Sequence, residues 1–344
     1  MPDPRVAVIL VNHNGQGDLP ACLESLRNQA PAPRLLVVDN ASTDGSDRWV
    51  EAEAPDVTLI RAGANLGFAA ANNLGIRHLF AGGTELIWLV NTDTEARPGC
   101  LQALVAHLDA HPEVGAASPR IVHPDGERVW FAGGEIDFEG LRTRHLDTVE
   151  AFEALAPEAR YLTGCALLVR RSTVEKVGLL DERFFMYAED ADFCLRTSLC
   201  EIGLAVVPGA ELVHRVRSFP EAGEPQNPFT AYHLLRSEML FWKKVCGGFG
   251  FHRHWCRAHL GKWVNDLPAR LADPVQAPTA EAVTDAVWAG LFRGSRGRER
   301  ASAPGWFRRL MASRPWLTAE LLAFRLPPLR RRRTSTPAPE ETPP

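Results

Sequence analysis

Three short apolar runs in the N-terminal part of the chain each end in a cluster of polar residues that favour turns. Residues 6–11 lead into NHNG, residues 35–38 into DNASTDGS, and residues 86–90 into NTDT. Continuous apolar runs of this length are typical of strands buried on both faces of a sheet. Helical patterns over residues 19–29 and 68–79 separate them. The alternation predicts an α/β fold with a mostly parallel central sheet, whose ligand crevice lies at the carboxyl ends of the strands.

The pattern changes twice further along the chain. After a polar insert over about residues 135–159 come the apolar segment 166–169, the acidic stretch AEDADF and the strand-like segment 205–207. Beyond Pro225 the sequence is helix-forming and rich in Arg, Trp and Leu, and the tail TSTPAPEETPP is rich in proline. We therefore predict an α/β domain over residues 1–224, a basic helical extension over 225–333 and a disordered tail over 334–344.

The balance of acidic and basic residues changes at the same boundary, near residue 224. Residues 1–224 carry 19 basic and 33 acidic side chains, whereas the rest of the chain carries 19 basic and 9 acidic ones. No stretch reaches the roughly 18 apolar residues that a membrane-spanning helix needs, so we expect any membrane association to be peripheral. The seven cysteines include no C-x-x-C pair, which argues against a disulfide framework or a clustered zinc site. These features favour a cytoplasmic protein, with peripheral contact at the inner face of the membrane as the further expectation.

Two carboxylates stand where a metal-bound diphosphate would need them. Asp39 ends the second predicted strand, and Asp93 lies just beyond the run that ends in NTDT. A carboxylate held at a strand end suits a hard cation shared with phosphate oxygens. The alternative is that either residue only begins a turn or caps a helix.

The stretch AEDADF places three carboxylates close together, those of Glu189, Asp190 and Asp192. One interpretation is an acidic first turn of a helix, which the helix dipole favours. Crowding by like charges and partial burial would raise the pKa of a carboxylate in this stretch, which would improve it as a base near neutral pH.

Six segments taken together resemble family 2 of the glycosyltransferases, and in particular its bacterial rhamnosyltransferase-like branch. In order they are VILVNHNG, VVDNASTDGS, ANLGFAAANNLGI, LVNTDT, TGCALLVRR and FFMYAEDADFCLR. The resemblance covers roughly residues 5–217 in the expected order. It implies a GT-A fold, in which a sugar nucleotide lies across the strand ends and a divalent cation, Mg²⁺ or Mn²⁺, bridges its diphosphate.

The resemblance also assigns donor-binding roles. Asn12 and Asn14 would line the nucleotide pocket, Asp39 would bond the base, and Asn65 with Gly67 would border the donor. Asn73 matches the Asn of the family's A-R-N pattern, while Asn72 stands where many members have Arg. That departure removes one cation that could bind phosphate.

The metal motif departs from the generic D-x-D in the same way. Asn91 occupies its first position and would bond a sugar hydroxyl, while Asp93 at its last position would ligate the ion. His214, in ELVHR, matches a His that many members use as a further metal or diphosphate contact, although a lone His near a strand end is more often structural.

The implied reaction is a one-step displacement that inverts the anomeric configuration. Asp190, beside Glu189, would take the proton from an acceptor hydroxyl while that oxygen attacks the sugar opposite the nucleotide. The expected substrates are a nucleotide-activated hexose, with rhamnose as the candidate, and a saccharide or lipid-linked saccharide in cell-envelope polysaccharide synthesis.

Several alternatives were weighed against this interpretation. A nucleotidyltransferase would also use acidic metal ligands, but no Gly-rich, Arg- or Lys-bearing loop follows the first strand; a dinucleotide-dependent dehydrogenase would need G-x-G-x-x-G there. A non-catalytic carbohydrate-binding relative would have lost the base. The basic C-terminal region, with its run Arg330 to Arg333, is either a helix packed on the domain with a solvated basic edge or a surface that contacts anionic lipid. We expect no nucleic acid partner. His252, His254, Cys256 and His259 match no common zinc spacing and are interpreted as a polar helix face.

Overall fold

The computed structural model describes residues 5–215, 227–247, 261–290 and 302–313. The three predicted apolar runs are strands, each extended by one residue into the polar cluster that follows it. The strands are β1 (Val6–Asn12), β2 (Arg34–Asp39), β3 (Thr58–Arg61), β4 (Leu86–Asn91), β5 (Thr94–Ala96), β6 (Val114–Val122), β7 (Val129–Phe131), β8 (Gly134–Asp137), β9 (Arg142–His145), β10 (Arg160–Tyr161), β11 (Ala166–Arg170) and β12 (Gly203–His214).

Nine of these strands form the central sheet, in the order β3-β2-β1-β4-β11-β6-β12-β5 with β7 on the edge of β6. The strands β3, β2, β1 and β4 are mutually parallel, as predicted, whereas β11 runs antiparallel between β4 and β6. The chain leaves β1 to one side for β2 and later to the other side for β4. This reversal opens a crevice at the carboxyl ends of β1, β2 and β4.

Helices cover the sheet on both sides and continue beyond it. They are α1 (Leu19–Arg27), α2 (Ser46–Glu53), α3 (Phe68–Phe80), α4 (Cys100–Ala110), α5 (Val149–Glu153), α6 (Arg171–Val177), α7 (Glu189–Leu199), α8 (Pro228–Cys246), α9 (Gly261–Ala272), α10 (Ala277–Trp288) and α11 (Gly305–Ser313). Strands β1, β2 and β4 are buried almost throughout, because helices pack on both of their faces.

The polar insert forms a second, three-stranded antiparallel sheet in the order β10-β8-β9. Its polar side chains face outward as ion pairs such as Arg144 with Glu135, and its apolar side chains, including Ile136 and Tyr161, join the main core. The small sheet is therefore a folded wall of the α/β domain.

The C-terminal helical extension is partly described. Trp242 and Phe241 of α8 are fully buried in the same apolar cluster as the central strands, and α8 packs on α10. No helix of the described ranges is long and apolar enough to cross a bilayer. The six cysteines within those ranges form no disulfide. The predicted disordered tail, the run Arg330 to Arg333 and the cluster from His252 to His259 lie outside the described residues.

Candidate active site

The nucleotide side of the crevice begins with Asn12 and Asp39, which are partners in the register of β1 and β2. The fully buried Asn12 amide donates to Oδ1 of Asp39 at 3.2 Å and to Oγ of Ser46 at 2.7 Å. The second carboxylate oxygen of Asp39 accepts from the Ser42 amide at 3.2 Å. These bonds fix the carboxylate at the strand end, where the sequence predicted a group that binds the base.

Asn14 and Asn65 shape the two loops beside this pair. Asn14 has a left-handed backbone with φ 57°, and its side-chain oxygen accepts from the Thr43 amide at 2.7 Å. The Asn65 oxygen accepts from the Gly67 amide at 3.0 Å and from the side chain of Asn40 at 2.9 Å. Asn40 is thus a crevice residue that the sequence analysis missed, although it stands in the motif VVDN.

Gly67 is held against the loop that precedes the acidic helix. Its φ is +80°, and a Cβ atom there would lie 2.2 Å from the Phe185 carbonyl oxygen, so only glycine fits. The next residue, Phe68, donates its amide to that same carbonyl at 2.6 Å. The donor loop and the acidic segment are therefore packed as one unit.

Asn73 is a predicted donor residue whose side chain bonds the segment that leads to the acidic loop. It is fully buried on α3, where its amide donates to the Leu180 carbonyl at 2.8 Å and accepts from the Leu180 amide at 3.1 Å. Asn72 is also buried and bonds its own helix at Phe68. The described contacts of Asn73 anchor the segment that leads to the acidic loop.

Asp93 and His214 meet although they come from distant parts of the chain. β12 ends at His214, which pairs with Thr94, and its Nε2 lies 3.2 Å from Oδ1 of Asp93. Two neighbouring ligands of an octahedral ion with bonds of about 2.1 Å stand about 3.0 Å apart, so this spacing suits a cation held by both. Within the described ranges no group of three or more His, Cys, Asp or Glu side chains could hold a metal.

The acidic helix starts in an unusual backbone conformation. Tyr187 and Ala188 both have left-handed φ angles, 69° and 63°, immediately before Glu189 opens α7. Two consecutive non-glycine residues in this region store strain, which is common at functional sites. The Ser237 hydroxyl of α8 donates to the Met186 carbonyl at 2.8 Å and braces the turn.

Asp190 accepts two backbone hydrogen bonds, from Gly164 at 3.0 Å and from Ala191 at 2.8 Å. Burial raises the pKa of Asp190, while these two bonds oppose that rise by stabilising the carboxylate. Gly164 belongs to the segment TGC, which the sequence analysis used only as part of the family resemblance. Its hydrogen bond to Asp190 gives that segment a physical role, because it holds the carboxylate in place.

Glu189 and Asp192 have different surroundings. Glu189 is buried, and its Oε2 has no hydrogen-bond partner among the described residues. Burial and then repulsion from Asp190 raise the pKa of Glu189 well above its usual range. Asp192 is buried beside two cations, Arg196 at 2.9 Å and Lys244, so it is part of the packing between α7 and α8.

A cavity of about 250 Å³ joins the predicted reaction groups. Its lining includes Asn91, Asp93, Glu189, Asp190 and His214. It also includes residues that the sequence analysis did not select, namely Trp130, Thr143, His145, Tyr161 and Leu234. The first four come from β7 or the three-stranded sheet, whose sequence carried no signal beyond its polar composition.

Comparison with known proteins shows the family of the chain. The family profile described as "Glycosyl transferase family 2" matches residues 7–178. The chain belongs to glycosyltransferase family 2. It is therefore an enzyme that transfers glycosyl groups, and the predicted family is confirmed.

Among curated members of this family, the chain is 32% identical to the N-acetylglucosaminyl-diphospho-decaprenol L-rhamnosyltransferase of Mycobacterium tuberculosis, over 74% of this chain and 87% of that one. It is 26% identical to the dTDP-rhamnosyl transferase RfbF of Shigella flexneri, over 70% of this chain and 80% of that one.

The fold is similar to the structure of the mannosyltransferase PcManGT from Pyrobaculum calidifontis in complex with GDP-Man and Mn²⁺. The TM-score is 0.53 at 21% identity, over 94% of this chain and 89% of that one. The predicted GT-A architecture is confirmed.

Proposed function

We propose that this glycosyltransferase moves a hexose, with rhamnose as the first candidate, from a nucleotide sugar to a saccharide or lipid-linked saccharide, with inversion at the anomeric carbon. The observation that carries the proposal is one cavity that holds both the Asp93–His214 pair and Asp190. The Asp93–His214 pair would hold the metal-bound departing diphosphate, and Asp190 would accept the proton of the attacking hydroxyl.

The Asp93 carboxylate and the His214 imidazole would hold a divalent cation, Mg²⁺ or Mn²⁺. Bound there, the cation would offset negative charge on the departing diphosphate. The 3.2 Å separation of their ligand atoms and the buried position of His214 support this assignment. Asn91 lines the same cavity and would bond a sugar hydroxyl.

Asp190 would act as the general base. The acceptor oxygen forms a bond to the anomeric carbon as the bond from that carbon to the diphosphate oxygen breaks, and the electron pair leaves with the diphosphate. The hydroxyl proton passes to Asp190, whose raised pKa favours accepting it. A single displacement inverts the configuration and needs no enzyme nucleophile.

The nucleotide would occupy the crevice at the ends of β1 and β2. Asn12, Asn14, Asp39 and Asn65 are the proposed donor-binding residues, together with the backbone at Gly67. Their hydrogen bonds to neighbouring loops hold the crevice in shape without substrate, which reduces the ordering that binding requires. Asn73 would support this region from the core.

The substrate class rests on the relatives. Two of them are named for rhamnosyl transfer, one with dTDP-rhamnose and one with a decaprenyl diphosphate acceptor. We propose the same class of reaction here, in cell-envelope polysaccharide synthesis on the cytoplasmic side of a membrane. Residues 1–224 would form the catalytic domain, and the helical extension to residue 333 would pack on it and approach the membrane.

A donor panel tests this function. Purified protein is incubated with Mn²⁺ and dTDP-rhamnose, UDP-glucose, UDP-galactose, UDP-N-acetylglucosamine or GDP-mannose, and release of nucleoside diphosphate is measured. We expect dTDP-rhamnose to be turned over fastest, and transfer to a synthetic N-acetylglucosaminyl-diphospho-lipid to give a single anomer by NMR. Turnover of a different donor would correct the sugar, and retention of configuration would overturn the mechanism.

A further inference from the structure

One wall of the reaction cavity is built by β7, on the edge of the central sheet, together with the three-stranded sheet. Trp130 lies on β7, Thr143 and His145 on β9, and Tyr161 on β10, and all four line the cavity. The proposed donor and base assignments use none of them. A folded wall of aromatic and polar side chains beside a reaction centre is typical of a small-molecule subsite.

The hydrogen bond of His145 decides which ring nitrogen is free. Its Nδ1 lies 3.2 Å from the Trp130 carbonyl oxygen, and because a carbonyl can only accept, Nδ1 must carry the proton. Desolvation by the surrounding cavity wall lowers the pKa of His145, which favours the neutral ring, while the side chain keeps exposed surface. Nε2 is then an acceptor, and it has no hydrogen-bond partner among the residues that the structure describes.

Trp130 connects this histidine with the proposed metal ligand. Its ring centroid lies 4.6 Å from that of His145 and 4.4 Å from that of His214, edge-on in both cases. The indole is half-buried, so part of its apolar surface remains on the cavity. Tyr161 and Thr143 complete this wall of the cavity.

His145 interacts electrostatically with Asp190, the proposed base. The charges of Asp190 and His145 shift each other's pKa, and the side chains line one cavity although they come from α7 and β9. A hydroxyl delivered to Asp190 therefore belongs to a molecule whose other groups lie near this wall.

We propose that Trp130 and His145 form a subsite for the acceptor sugar: the indole packs on an apolar face of the pyranose, and Nε2 of His145 accepts a hydrogen bond from a hydroxyl near the reacting one. The inference rests on the proposed function and names the residues that recognise its acceptor. The donor has its own groups at the ends of β1, β2 and β4. β7 and the three-stranded sheet then determine acceptor choice.

Two substitutions at one position separate hydrogen bonding from packing. His145→Phe keeps an aromatic ring against Trp130 but removes Nε2, and His145→Gln supplies an acceptor oxygen without the ring. His78→Phe is the matched control, because His78 is an exposed histidine on α3 that does not line the cavity. Thermal melting confirms that each variant is folded.

The probes are the octyl glycosides of N-acetylglucosamine, glucose, galactose and rhamnose, with Mn²⁺ and the donor that the panel above selects. For the best glycoside, His145→Phe should raise the acceptor KM roughly tenfold, as expected for one lost hydrogen bond, and leave the donor KM at the wild-type value. His145→Gln should recover part of that loss, and His78→Phe should match the wild type. Trp130→Leu should also raise the acceptor KM.

Two results would overturn the subsite. Either His145→Phe leaves the acceptor KM unchanged, or it raises the donor KM by the same factor as the acceptor KM. If the wild type transfers to no glycoside, calorimetric titration of the glycosides into protein holding nucleoside diphosphate and Mn²⁺ replaces the kinetic readout. Absence of both binding and transfer would contradict the proposed function as well, whereas wild-type transfer with unchanged variants would contradict this inference alone.

Discussion

Asp190 and Asp192 stand two residues apart on the same helix but have unrelated surroundings. Asp190 lines the reaction cavity and accepts only backbone amides, whereas Asp192 is buried against Arg196 and Lys244. This matched pair allows catalysis to be separated from stability within one helical turn.

Asp190→Asn should reduce transfer by at least roughly 10²-fold, the loss typical of removing a general base. Asp192→Asn should have a milder effect on turnover but should unfold more easily, by about 3 kcal/mol, because it leaves two cations beside a neutral amide. Steady-state kinetics and urea unfolding of both variants check this. Near-wild-type turnover by Asp190→Asn would refute its role as the base.

Binding of nucleoside diphosphate should be tighter with Mn²⁺ or Mg²⁺ than with EDTA, because the cation would link Asp93 and His214 to the diphosphate. Asp93→Ala should abolish the difference. Asp56→Ala, which removes only a surface partner of Arg27, is the control. Calorimetry that gives the wild type equal affinities with and without metal would show that Asp93 has another role.

Glu189→Gln should become progressively more stable than the wild type as the pH rises. Burial raises the pKa of Glu189 in the folded state. The contribution of Glu189 to stability is therefore complete below the pKa of the unfolded chain, about 4.3, and is lost as the pH rises through the pKa of the folded state. The amide cannot ionise and avoids this loss. Melting temperatures from about pH 5 to pH 8 measure the difference, with exposed Glu158→Gln as control. A difference that shrinks with rising pH would contradict a raised pKa.

The basic C-terminal region should bind anionic liposomes at low salt. Each Arg near an anionic surface contributes up to about 1 kcal/mol, and salt screens it. Phe307 and Met311 of α11 are buried, whereas Trp306 is 55% exposed, so the truncation should begin after Ser313. Removing residues 314–344 should weaken sedimentation with anionic vesicles and spare hydrolysis of the soluble donor. If the full chain ignores such vesicles at low salt, the extension is better interpreted as packing for the catalytic domain.

The sequence by itself determined the parallel strands β1, β2 and β4 and the residues at their carboxyl ends, whereas the fourth parallel strand, β3, was not predicted. Apolar runs that must be buried on both faces can only be central strands, and parallel strands bring their carboxyl ends together. Asn12, Asp39 and Asn91 therefore had to lie at one edge, since each follows such a run. The periodicity of apolar residues and the composition of a segment are local properties of the sequence. They are sufficient to predict this part of the fold.

Tertiary structure alone decided how distant segments meet at that edge. The contact between His214 and Asp93 depends on β12 pairing with β5, and the insertion of β11 between β4 and β6 brings Gly164 to Asp190. The burial of Asn73 and the position of His145 likewise depend on loops packing across the chain. No local pattern encodes these contacts, because they are fixed by the free energy of packing segments that are far apart in sequence.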